Sequence, residues 1–189
     1  MITLHGDWDA GYAIHTYNQP DGSRTLVGEA IYRYQYRKQW YLVDSLARWA
    51  QSFIQATPEI KNVDVLVPVP SSRVLSDYDP SSLLVDWISQ LTHIPRAIGV
   101  LNRYGLISEY SERVADASHG GMNVASPEVI KGKHVLLVDG IFCSGSTLDA
   151  ASRALRKSGV GMVTTLVYAK IDRHSLDSYG FAQYDQGGD

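Results

Sequence analysis

The residues best suited to chemistry lie together in one run, V-L-L-V-D-G-I-F-C-S-G-S-T, at positions 135–147. Four apolar residues, 135–138, predict a fully buried parallel strand. An acid, Asp139, is expected where that strand ends. Cys143, Ser144, Gly145, Ser146 and Thr147 form a short polar loop leading into a segment with helical spacing. Backbone N–H groups, hydroxyls and the positive end of a helix dipole favour an anion such as a phosphate. A carboxylate beside them suits hydroxyl donors such as a ribose diol. Alone, the loop also reads as an ordinary helix start and Asp139 as a turn residue. Strand, acid, loop and helix in succession point instead to a site for a phosphorylated, hydroxyl-bearing ligand.

Other reactive residues give weaker signals. No His or Asp adjoins Cys143 as a base, which favours a structural role over a nucleophilic one. The six histidines are scattered without ligand-like spacing; His119, beside Gly120-Gly121, alone stands near a functional candidate. The run at 32–40, Y-R-Y-Q-Y-R-K-Q-W, interleaves aromatic and basic residues as single-strand binders do. Its tyrosines fall at period two, the pattern of one strand face packing inward, and packing is the favoured reading.

The elements that must position the acid and loop alternate along the chain. Residues 12–17 and 25–36 flank a turn-rich N-Q-P-D-G and predict a hairpin. Residues 42–54 carry helical spacing, 63–69 read as a buried strand opening into Ser71-Ser72-Arg73, and 81–91 form a second helix. A short strand is expected at 98–101. The polar stretch 104–123 has no clear periodicity, which marks it as a functional or mobile loop. After the strand at 135–138 come a helix at 148–157, a stop at Gly159 and a strand at 162–168. The expectation is one domain, 1–189, with a hood or hairpin at 1–41, an α/β core at 42–172 and a tail at 173–189.

Composition narrows the class. At 189 residues the chain is long enough for a sizeable core. A formal net charge of −3 argues against a large nucleic-acid surface. One cysteine excludes an internal disulfide framework and a cysteine-rich zinc site. No signal peptide or membrane-spanning run is evident, so a cytoplasmic location is expected.

Residues 135–147 resemble the phosphoribosyl-pyrophosphate (PRPP) signature of type I phosphoribosyltransferases. That signature has apolar residues, two adjacent acids, a hydrophobic residue and a Thr/Ser-Gly-x-Thr loop. V-D-V-L-V-P-V-P at 63–70, the aromatic-basic segment at 30–54 and Lys131-Gly132-Lys133 resemble the ComF-like branch of that family. The resemblance implies a mostly parallel sheet flanked by helices, with a small N-terminal hood. It also implies Mg²⁺, bound mainly through PRPP. Cys143–Thr147 would hold the 5′-phosphate, and Asp139, the catalytic candidate, one ribose hydroxyl. Ser71, Ser72 and Arg73 would meet the pyrophosphate, and a mobile loop carrying Arg113 would close over the site.

The departures are informative. Gly140 stands where the family has its second acid, and Arg73 is the one base in the expected pyrophosphate loop. The zinc module of many ComF-like proteins is absent, and the family's Arg-x-x-Asn becomes Arg113-Val114-Ala115-Asp116. These changes predict that binding survives better than turnover. The leading expectation is transfer of a phosphoribosyl group to a nitrogen nucleophile. Its rivals are a catalytically weak or inactive sensor of PRPP or a nucleotide and, by branch analogy, an accessory factor in DNA uptake. The expected partner is a small phosphoribosyl ligand, with no membrane; a homodimer is left open.

Overall fold

The computed structural model describes residues 1–71, 79–103 and 121–171. An interior strand of its main sheet is His134–Phe142, whose Val135, Leu136, Leu137 and Val138 are all buried. A continuous apolar run of this kind needs cover on both faces. In chain order the strands are β1 (Ile2–Thr3), β2 (Ala10–Thr16), β3 (Val65–Pro68), β4 (Leu101–Arg103), β5 (Met122–Val124), β6 (His134–Phe142) and β7 (Met162–Lys170). The main sheet runs β1-β2-β7-β6-β3, with β2, β7, β6 and β3 parallel and β1 antiparallel at the edge.

Helices cover both faces. Leu136 and Val138 point into a core shared with α1 (Leu26–Tyr36), α2 (Val43–Ala56) and α3 (Pro80–Thr92). Val135 and Leu137 point the other way, into a core shared with α4 (Ser146–Lys157) and the β4–β5 ribbon. The architecture is therefore a mixed, mostly parallel sheet flanked by helices, the class expected from the alternating pattern.

The expected hairpin between 12–17 and 25–36 is corrected. The turn forms, with Gly22 in the left-handed region at φ 83° and its N–H donating to Gln19 O at 2.9 Å. The segment after the turn, however, is a helix. Thr25 caps α1 by accepting from Gly28 N at 3.0 Å and donating to Thr16 O at 2.7 Å. Val27, Ile31 and Tyr34 recur at helical spacing and are buried. The tyrosines at period two thus do not share a face: Tyr32 and Tyr36 stack at i,i+4 with centroids 5.5 Å apart. Tyr34 turns inward, its hydroxyl donating to Pro80 O at 2.8 Å. β2 joins the core sheet beside β7 instead.

The remaining elements agree closely with expectation. α2, β3, α3, α4 and β7 overlie their predicted segments. The short strand lies at Leu101–Arg103 rather than 98–101, and β5 forms at the end of the stretch read as a loop. No described helix is long and apolar enough to cross a membrane.

Candidate functional site

Gly145 shapes the loop. It adopts φ 86° as the N-terminal cap residue of α4, and a Cβ there would lie 3.0–3.1 Å from the Phe142 ring. Glycine alone meets both demands without strain. No side chain caps the start of α4 at Gly145. Asp149, in the first turn, accepts instead from Asp7 N at 2.8 Å. Ser144 Oγ lies 3.0 Å from Ser146 Oγ and accepts weakly from Ser146 N at 3.4 Å. Cys143, Ser144 and Ser146 are exposed. Hydroxyls and the positive helix end thus face solvent together, an arrangement suited to a phosphate.

A buttress from the far end of the chain supports this loop. Trp8 packs edge-on against Phe142, centroids 6.3 Å apart and rings at 86°. Its indole N–H donates to Leu4 O at 3.3 Å. Asp7 and Asp9 pair with Arg153 (2.5 Å) and Arg156 (3.0 Å) of α4.

Asp139 lines the same hollow as Cys143, Ser144, Gly145 and Thr147. It does not end its strand: β6 continues to Phe142 because Ile141 and Phe142 pair with Ala169 and Lys170 of β7. β3, on the other side, last pairs at Pro68 with Val138. Asp139 therefore stands where the sheet opens beside the carboxyl end of β3, the crevice where ligands of parallel sheets bind. Burial pushes its carboxyl from the ordinary 3.8 up to about 6. The N–H of Gly140, donating to Oδ1 at 2.7 Å, and the charge of Arg103 oppose this rise, while Asp79 adds to it.

Arg103 and Asp79 were not singled out from the sequence. Arg103 comes from β4, and its Nε donates to Pro70 O at 2.9 Å, so it hangs over the end of β3. Asp79 caps α3, accepting from Ser81 N and Ser82 N. An Asp-Pro at a helix start was the available signal for Asp79; Arg103 had none, because only the fold carries it to Asp139.

Of the expected site residues, the structure brings Asp139 together with the Cys143–Thr147 loop. Ser71 follows the end of β3. Ser72, Arg73 and Arg113 lie outside the described residues, as do most of the expected lid and the tail. Among the described residues no group of three or more His, Cys, Asp or Glu side chains could hold a metal ion.

No family model matches the chain. Over 166 residues it is 25% identical to competence protein F of Haemophilus influenzae, covering 81% of this chain and 69% of that protein. Among solved structures it is similar to a glutamine phosphoribosylpyrophosphate amidotransferase from B. subtilis complexed with ADP and GMP. The TM-score is 0.49 at 17% identity, over 67% of this chain and 26% of that one. It is also similar to a purine phosphoribosyltransferase from Pyrococcus horikoshii, with TM-score 0.45, 17% identity, and 71% and 86% coverage. The chain thus spans about a quarter of the amidotransferase and more than two thirds of the competence protein. Its sequence similarity is thus to competence protein F, and its sheet is of the mostly parallel class.

Proposed function

We propose, from a chain similar to competence protein F, that this protein binds PRPP or a nucleoside monophosphate and transfers phosphoribose to a nitrogen nucleophile. One observation carries the reading: Asp139 and the Gly145-centred loop line a single hollow toward the carboxyl end of the interior parallel strand β6. In it, Cys143–Thr147 hold the 5′-phosphate and Asp139 accepts from a ribose hydroxyl. Arg103 and Ser71, at the end of β3, stand on the side where pyrophosphate would leave. The nucleophile's lone pair forms the new bond to C1 as the C1–O bond breaks. Pyrophosphate departs with the electron pair, and the nitrogen then loses its proton. The protein's contribution is positioning and charge stabilisation.

Among the described residues Asp139 is the one carboxylate lining the hollow, which fits Mg²⁺ that arrives on the ligand's own phosphates rather than in a protein cage. When bound, the ion would neutralise the leaving group.

A second reading, a sensor that binds without turnover, is favoured by Gly140, which removes the second acid from the expected pair. The relative's name supports a third, a role in competence. Calorimetric titration with PRPP, with and without Mg²⁺, then a pyrophosphate-release assay over bases and amines, separates them. Binding with release is expected. Binding without release selects the sensor, and no heat at millimolar PRPP removes both.

A further inference from the structure

Gly140 is not merely a missing acid. A Cβ built at this position would fall inside the side-chain amide of Gln35, which lies over the Gly140 backbone. Gln35 sits on α1, on the face that carries Gly28 and Ile31 inward. It is half-buried, and among the described residues its amide makes no hydrogen bond. Gly140 comes directly after Asp139 in β6. An amide with no protein partner among the described residues is thus held over the backbone next to the acid of the site, where its donor and acceptor stay open to a ligand.

We infer that Gln35 is a ligand-contacting residue whose amide supplies, from α1, the hydroxyl recognition that residue 140 cannot. This role rests on the phosphoribosyl reading and extends it to a residue from a distant part of the chain. The chemistry favours an amide. Its Oε1 accepts from a sugar hydroxyl while its Nε2 donates to the hydroxyl oxygen. It brings no charge, whereas a second carboxylate beside Asp139 would drive one of the two toward its neutral form. Burial and Asp79 already push Asp139 in that direction. Glycine at 140 is what makes room, so the two positions act as a pair.

The test is calorimetric titration of the full chain with inorganic phosphate and with ribose 5-phosphate. Wild type should bind ribose 5-phosphate more tightly than phosphate. Gln35→Met, which keeps the volume, should lose about tenfold in ribose 5-phosphate affinity, the usual size of one lost hydrogen bond, and leave phosphate affinity unaltered. Gln35→Glu, measured at pH 8, should stay within about threefold of wild type. Gly140→Ala, which displaces the amide, should reproduce the Gln35→Met loss, and combining them should add little. A Gln35→Met protein that keeps the wild-type ratio of the two affinities overturns the inference and leaves the phosphate site standing. Equal losses for both ligands make Gln35 structural and also overturn it. Wild type that binds phosphate without preferring the sugar phosphate refutes the sugar half of the site. Binding of neither ligand refutes the site as a whole.

Discussion

At the scale of single residues, the charge on Asp139 governs what the site can do. Its carboxyl titrates near 6 because burial outweighs the Gly140 N–H and Arg103. A hydroxyl is recognised through the ionised form, so sugar-dependent affinity should fall as pH drops through about 6. The ligand's phosphate also titrates near pH 6, so the useful quantity is the ratio of ribose 5-phosphate affinities without and with Asp139→Asn, in which that titration cancels. Removing Arg103 as Arg103→Met should move the midpoint of this ratio to higher pH. Asp79→Asn keeps a good helix cap but removes a like charge, and should move the midpoint lower. Shifts in the same direction, or none, would contradict the assignment of Asp139. Stability has the opposite sign. The folded state binds its proton more tightly than the unfolded chain, so Asp139's contribution to stability falls as pH rises from about 4 to about 6.

At the scale of elements, the loop before α4 depends on a backbone conformation rather than on side chains. Gly145→Ala should be strained twice, by φ 86° and by contact with the Phe142 ring. The expected cost is about 1–2 kcal/mol of unfolding free energy, with weaker inorganic phosphate binding; denaturant unfolding and calorimetry measure both. Unaltered stability and binding would show that the loop is not held as described. This element was legible in the sequence because a buried strand, a glycine and a helix with helical spacing are adjacent there. α1 was not. Its three tyrosines favour strands and fall at period two, while the cap at Thr25 and the Val27, Ile31 and Tyr34 spacing pointed the other way. Tertiary burial of Tyr34 under Pro80 decided between them. Gln35 was hidden with it, since its place over Gly140 exists only once residues 26–36 are helical.

At the scale of the whole molecule, segments far apart in the chain build one site. Residues 1–16 lie at one edge of the sheet, and Trp8 supports Phe142 and the loop behind it. The short-range sequence could not show this, because the partners are more than 130 positions apart. Trp8 is only 8% exposed, and Trp8→Ala should cost about 3–5 kcal/mol. Phosphate affinity should fall with it, while the ratio of ribose 5-phosphate to phosphate affinity stays constant, because Asp139 and Gln35 are untouched. Phosphate binding at wild-type strength in a destabilised Trp8→Ala protein would show that the N-terminal segment serves the fold alone. The surface ion pairs of Asp7 and Asp9 with α4 are exposed and contribute little beside it.

Asp139 and the loop at 143–147 forming one phosphoribosyl site is the central claim. Backbone amide NMR of the 20.9 kDa chain during titration with PRPP and Mg²⁺ tests it most directly. The predicted result is saturable shifts at residues 139 to 148 and at Gln35, with those at 144 to 147 reproduced by inorganic phosphate alone. Saturable binding whose shifts fall elsewhere, or an unchanged spectrum at millimolar PRPP, would contradict it.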